Sequence, residues 1–174
     1  RAGSTTAMVQ TKDGDIYVST LGNGIYVLDD EGELKTVLGR GILPDDRIYS
    51  MEKGPDDILF LGLSGNIVAY DSSSGRSVVV AELGAIAYCQ YYDVSNDILW
   101  VGTIGNGVYK IEFADGTADF GKVRTTHFMH VKGNELSLSS GNVMHIAPCD
   151  SSHVWIGTLG GGLNRMDMHT GECS

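Results

Sequence analysis

Cysteine is scarce in this sequence, and so is positive charge. The three cysteines, Cys89, Cys149 and Cys173, are too few and too widely spaced for a disulfide framework or a zinc site. They fit three free thiols, or one bridge with a thiol left over. Lys and Arg number 12 against 22 Asp and Glu, a formal net charge of −10. That deficit argues against nucleic acid as a partner, because phosphate neutralisation needs Lys and Arg. It argues equally against electrostatic docking on an anionic membrane. Long apolar runs are missing as well. The best candidate, Val78–Tyr92, is broken by Glu82 and falls short of the ~18 residues of a membrane-spanning helix. Arg1–Thr6 is small and polar, without the apolar stretch of an export signal. No segment sustains a 3.6-residue apolar period, so helix is expected to be nearly absent.

Catalytic and cofactor signatures are lacking too. His127 and His130 stand three apart in T-H-F-M-H, a spacing that shares a face only on a helix, and no further ligand falls in register with them. The acidic stretches Asp13–Asp15, Asp29–Glu33 and Asp115–Asp119 do not have the D-x-[DN]-x-[DN]-G spacing of a calcium loop and read as hairpin turns. Pairs such as Gly22/Gly24 and Gly105/Gly107 have no third Gly and lead into strands, which removes a dinucleotide reading. There is no G-x-S-x-G elbow. Neither a metal nor a cofactor is expected, and no catalytic set stands out.

Glycine is what the sequence has in excess: 24 of 174 residues, about twice the usual share of roughly 7%. These glycines mark a repeat. Asp15–Asp29 reads D-I-Y-V-S-T-L-G-N-G-I-Y-V-L-D, and Asp97–Ile111 reads D-I-L-W-V-G-T-I-G-N-G-V-Y-K-I. His153–Asp167 reads H-V-W-I-G-T-L-G-G-G-L-N-R-M-D, and Asp57–Asp71 is the same phrase with a turn one residue shorter. The marking aromatics Tyr17, Phe60, Trp100 and Trp155 recur at intervals of roughly 40–55 residues, the longest holding an insertion around Asp115–Glu135.

In each unit a β-rich run meets a Gly-rich turn and a second β-rich run, which is a hairpin signal. A short run precedes each hairpin, and a fourth follows the first three. Four strands in about 40–45 residues is the period of a β-propeller blade, a meander that buries its faces only by stacking on neighbours. The fold class is therefore all-β, with blades of four antiparallel strands at about 7–40, 46–82, 85–130 and 141–174 and the last blade incomplete. The chain then reads as a fragment of a larger propeller of about seven blades. Gly62, Gly102 and Gly157 are expected where blades approach too closely for a side chain, and Trp100 and Trp155 as filler between blades.

The phrases L-W-V-G-T-I-G-N-G-V-Y and V-W-I-G-T-L-G-G-G-L-N-R-M-D closely resemble the two-component regulator propeller repeat. Its pattern is aliphatic–Trp–aliphatic–Gly–Thr, a Gly-rich turn, then Gly–Leu–x–Arg/Lys–aromatic–Asp. The units at Trp100 and Trp155 match well. The first departs at Tyr17 and Ser19, the second at Phe60, Leu63 and its shortened turn. The segments Leu43–Met51 and Ser137–Ile146 resemble the strand that leads each repeat. The resemblance implies a periplasmic ligand sensor of a hybrid two-component system. Such propellers, with a following β-sandwich, detect glycan fragments and drive a histidine kinase that is absent here. Implied partners are an oligosaccharide or other small ligand and the remaining blades and sandwich domain of the parent; a homodimer is expected on a separate ground, because an unclosed stack of blades leaves an apolar face uncovered at each end.

In propellers the blade-to-blade loop and the turn between the two middle strands open on one face. That sets Leu43–Arg47 and Leu138–Asn142 beside the Gly-rich turns. Asp45, Asp46, Arg47, Asn106 and Asn142 are then the candidate ligand-binding residues, supplying paired donors and acceptors for sugar hydroxyls. The bland alternative is that Asp and Asn serve only as turn formers. Two other functions fit the architecture: a scaffold propeller that binds proteins, and a lyase or quinone-dependent enzyme propeller.

Overall fold

The structure is a computed structural model that describes residues 3–114, 120 and 122–174. The acidic stretch at 115–119 lies outside the described residues. Among the described residues, fifteen strands form four antiparallel sheets, each a simple meander. The first holds β1 (Thr5–Gln10), β2 (Ile16–Thr20), β3 (Ile25–Leu28) and β4 (Leu34–Leu38). The second holds β5 (Ser50–Lys53), β6 (Ile58–Gly62), β7 (Asn66–Asp71) and β8 (Arg76–Glu82). The third holds β9 (Ala87–Asp93), β10 (Ile98–Thr103), β11 (Val108–Phe113) and β12 (Val123–Phe128). The fourth has three strands, β13 (Val143–Pro148), β14 (His153–Thr158) and β15 (Gly162–Asp167). Beyond β15 the chain turns back. Cys173 bridges Met166, and Arg165 and Ser174 exchange backbone hydrogen bonds of 2.9 and 3.0 Å, the geometry of a fourth strand at its start. Among the described residues the only helical element is a single 3-10 turn, Pro55–Asp57.

First strands of neighbouring sheets meet: β1 with β5, β5 with β9, β9 with β13. The sheets therefore radiate as propeller blades from an inner row of first strands. Sequence and burial agree with this layering. The middle strands β6 (ILFLG) and β10 (ILWVGT) are apolar at nearly every position and buried along their whole length, because a sheet covers each of their faces. The rim strand β4 is exposed except at Leu38.

Three apolar layers lie between the blades. Tyr17, Ile25 and Val27 of the first sheet pack on Leu59, Leu61, Val68 and Tyr70 of the second. Phe60, Ile67 and Ala69 pack on Leu99, Val101, Tyr109 and Ile111 of the third. Trp100 and Val108 pack on Val154, Ile156 and Met166 of the fourth. Each blade thus has a trailing face, carrying the marking aromatic, and a leading face that covers the aromatic before it.

The glycine after the aromatic is explained by this contact. A Cβ on Gly62 would lie 2.6 Å from the Ala87 carbonyl oxygen, and one on Gly102 would lie 2.5 Å from both Cys89 Sγ and Val143 Cγ1. The expectation fails at the fourth blade. A Cβ on Gly157 would meet nothing nearer than 3.9 Å, and Trp155 is 36% exposed whereas Trp100 is fully buried. The reason is positional, since among the described residues no sheet stacks on the trailing face of the fourth blade. All three cysteines are free thiols. Burial pushes Cys89 up to about 12 and Cys173 up to about 11, so neither is a thiolate at neutral pH.

Candidate functional site

The turns between second and third strands are built alike in three blades. Thr20 donates its hydroxyl to the Gly24 carbonyl at 2.8 Å, Thr103 to Gly107 at 2.8 Å and Thr158 to Gly162 at 3.0 Å. In the first and third blades the same carbonyl also accepts the Thr backbone N–H at 3.0 Å. The closing glycine needs a positive φ, 69° at Gly24 and 70° at Gly107. There a Cβ would strike the carbonyl oxygen of the fourth strand, Leu38 at 2.0 Å and Phe128 at 2.2 Å. Only Gly satisfies both demands.

Linkers between blades dock on these turns. The Asp46 carbonyl accepts the N–H groups of Gly22 and Gly24 at 3.1 and 2.9 Å. The Gly65 carbonyl accepts those of Leu83 and Gly84, Ile86 accepts that of Ile104, and Gly141 accepts that of Gly107. Asn142 in turn accepts the Leu159 N–H at 2.9 Å. Turns and linkers form one continuous upper face, where the five anticipated residues all lie, spread along it rather than converging on one point.

Asp45 and Arg47 form a compact charged pair. The Asp45 carboxylate accepts the Arg47 backbone N–H at 3.0 Å and its guanidinium at 3.3–3.4 Å. Partial burial opposes ionisation of Asp45, but the Arg47 N–H and guanidinium outweigh it and hold the carboxyl below its usual range. Arg47 is exposed, and its hydrogen bond to the Asp45 carboxylate raises its already high pKa. Asp46 pairs with Arg40 at 3.0 Å through Oδ2, while its Oδ1 is buried without a hydrogen-bond partner. Asn106 is largely consumed internally: its amide donates to the Leu83 carbonyl at 3.2 Å and to the Tyr109 hydroxyl at 2.7 Å. Its backbone carbonyl accepts from His127 Nε2 at 2.6 Å, with the His127 ring stacked 4.0 Å from Tyr109. His127 therefore braces the third turn.

A groove of ≈ 370 Å³ runs between Asp45 and the second turn, lined by Pro44, Asp45, Leu63, Ser64, Gly65, Asn66, Glu82 and Gly84. The shortened turn of the second blade opens it. A second concavity of ≈ 410 Å³ lies between the 130–139 loop and the fourth blade, at His130, Ser139, Asn164 and Cys173. None of the anticipated residues lines it.

Two aromatics escaped the sequence reading. Tyr49 and Tyr88 occupy matching positions, each one residue from the partner of a motif glycine: Ser50 opposite Gly62, Cys89 opposite Gly102. Tyr49 is half-buried and Tyr88 is 40% exposed, at the upper ends of the inner strands. Their signal in the sequence was faint, since Tyr49 stands 11 residues before Phe60 and Tyr88 stands 12 before Trp100. Both lie on the same upper face as Asp45 and Arg47, with Tyr49 two residues beyond Arg47 in the chain.

No protein-family model and no curated protein matches the sequence. Solved structures do match. One is the extracellular domain assigned to the hybrid two component system BT4673 of B. thetaiotaomicron, at TM-score 0.71 and 21% identity over 92% of this chain and 21% of that one. Another is the extracellular domain assigned to the hybrid two component system BT3049 of the same organism, at TM-score 0.71 and 18% identity over 93% of this chain and 20% of that one. A third is the β-propeller domain of Myceliophteria thermophila Cps50 (Swd1), at TM-score 0.72 and 16% identity, covering 99% of this chain and 55% of that one. The chain thus spans about a fifth of the length of the two bacterial domains it resembles. At these identities the likeness establishes the fold, an all-β stack of propeller blades.

Proposed function

We propose that this chain is the ligand-sensing part of an extracytoplasmic propeller, that its ligand is an oligosaccharide, and that binding is relayed to a histidine kinase elsewhere in the parent receptor. The parent would be an inner-membrane receptor with its propeller in the periplasm, completed by further blades and a sandwich domain. The observation that carries the reading is the W-x-G-T-x-G-x-G repeat laid out on a fold shared with two extracellular domains assigned to two-component systems. The role proposed for this chain is binding, with no catalytic step. Asp45 and Arg47 would hydrogen-bond sugar hydroxyls at the groove beside the second turn, with Asp46, Asn106 and Asn142 holding the linkers and turns around it. Tyr49 and Tyr88 would offer the flat surface that a pyranose ring stacks on.

Thermal-shift titration with a panel of oligosaccharides (α- and β-glucans, mannans, pectic and host-type fragments) tests this. A ligand at about 100 times its Kd stabilises by about 2.7 kcal/mol. For a chain of this size that is a rise of roughly 5–10 °C in Tm. The stabilisation should fall in Asp45→Ala and Arg47→Ala. No stabilisation by any glycan, together with a bound metal or quinone, would overturn the reading.

A further inference from the structure

We infer that the groove beside the second turn takes a glycan without acidic groups, a neutral or amino sugar chain, and rejects uronate, sialate and sulfated ones, with Glu82 as its specificity-determining residue. The inference rests on the oligosaccharide reading above and deepens it.

The register of the second blade sets this groove apart. Ile67 pairs with Gly62 as Ile25 pairs with Ser19 and Val108 with Gly102. Asn66 therefore stands where the first and third blades carry Gly24 and Gly107. Its carbonyl accepts the Leu63 N–H at 3.0 Å, as theirs accept the N–H groups of Thr20 and Thr103. Leu63 has no hydroxyl to add to that bond. Across the sheet Asn66 pairs with Glu82, which occupies the position of Gly39 on the first blade and of Met129 on the third. Where the other blades have glycine or methionine, the second has an amide and a carboxylate, and both line the groove.

The charged residues lining the groove are both carboxylates, Asp45 and Glu82. Glu82 is exposed and has no salt-bridge partner among the described residues. The two nearby cations are already engaged, Arg47 by Asp45 at 3.3 Å and Arg40 by Asp46 at 3.0 Å, and neither lines the groove. A uronate or sulfate seated here would face like charges with no free cation beside it, the arrangement by which binding sites exclude wrong partners. The net charge of −10 adds repulsion of the same sign at longer range. A sugar hydroxyl, in contrast, can donate to either carboxylate, while Ser64 and Asn66 supply donors in return. An ammonium group would gain charge-assisted bonds to the same carboxylates.

The test is calorimetric titration of the 174-residue chain with matched sets of glycans. Cellotetraose, the chitosan tetramer and the cello-uronic acid tetramer share one linkage and differ in a single substituent per ring. Mannotetraose and the mannuronate tetramer, galactans and oligogalacturonides, and lactose and sialyllactose extend the comparison. In any set that binds, the neutral or amino form should bind more tightly than the acidic one by at least about tenfold. Glu82→Gln should narrow that ratio by about threefold and Glu82→Lys by about tenfold or more. Glu82 is exposed, so both variants should keep the parent circular dichroism and unfolding transition. Raising NaCl from about 50 to about 500 mM should weaken the amino form and leave the neutral form unchanged. An acidic glycan that binds as tightly as its neutral counterpart overturns the inference and leaves the oligosaccharide reading standing. So does a ratio that Glu82→Lys does not move. If no member of any set binds, the oligosaccharide reading falls, and this inference falls with it.

Discussion

Replacing Gly102 by Ala and Gly157 by Ala makes the same change at the same position of the same motif, yet the two should differ in sign or nearly so. At Gly102 the new methyl carbon would sit 2.5 Å from Cys89 Sγ and from Val143 Cγ1, and 3.0 Å from Val143 Cβ. Those atoms belong to β9 beside it and to β13 of the next blade, so the methyl can be housed only by parting the third and fourth blades. Overpacking of that kind costs about 1–3 kcal/mol. That lowers Tm by roughly 3–10 °C for a domain of this size. At Gly157 the nearest atoms, His145 Cβ and carbonyl oxygen, stand 3.9 Å away, an ordinary contact. The substitution there should be neutral, or stabilising by up to about 1 kcal/mol through the lost freedom of the unfolded chain. Urea unfolding followed by far-ultraviolet circular dichroism measures both. A loss at Gly157→Ala equal to that at Gly102→Ala would refute the argument, since it would place a packed neighbour on the fourth blade's trailing face.

Three further outcomes follow from the same contacts. Trp100→Ala should cost about 3–5 kcal/mol as a fully buried side chain, and Trp155→Ala under about 1 kcal/mol in the single copy, both read from urea midpoints. Thr103→Val keeps the shape of a buried residue but removes the hydroxyl that closes the third turn; a loss of about 1 kcal/mol is expected, and less at the more exposed Thr158. The Asp57 carboxyl, although burial opposes it, is held below its usual 3.8 by the Lys12 N–H and by Lys53. A lowered pKa in the folded state contributes stability that is fully present above the unfolded value and is lost as pH falls through the folded one. Melts between pH 7 and pH 2 should therefore show a shallower acid decline for Asp57→Asn, along with a loss of about 1–2 kcal/mol at neutral pH.

Much of this architecture was legible because the repeat states its own register. The alternation around Trp100, Val101 and Gly102 fixes which residues share a face, and the fifteen strand-like runs correspond to fifteen strands. What the alternation could not supply was a neighbour. Trp155 and Gly157 carry the same signal as Trp100 and Gly102, and only the presence of a following sheet separates a buried indole from an exposed one. The upper face was anticipated as a place, because linkers and turns must meet on one side of a meander. Its chemistry was less visible. Tyr49 and Tyr88 read as strand formers, and the stacking of His127 on Tyr109 joins side chains on adjacent strands that no spacing rule singles out. The Thr–Gly clamp was in plain view as T-L-G-N-G and T-I-G-N-G, but its meaning needs the closed ring to be seen.

That clamp has a consequence for how the upper face changes. Because Thr and the closing Gly bond each other, the three residues between them are tied to the linkers mainly by backbone groups, as Gly22 is to Asp46 and Leu159 to Asn142, with Asn106 adding its side-chain amide. The tips already differ without altering the strands beneath: Leu21–Gly22–Asn23 on the first blade, Ile104–Gly105–Asn106 on the third, Leu159–Gly160–Gly161 on the fourth. Each turn is in effect a socket, in which tip side chains can be exchanged while the backbone bonds to the linkers hold the strands beneath. New specificities would be sought there by randomising three short tips on a fixed handle, with the packed layers between blades left untouched.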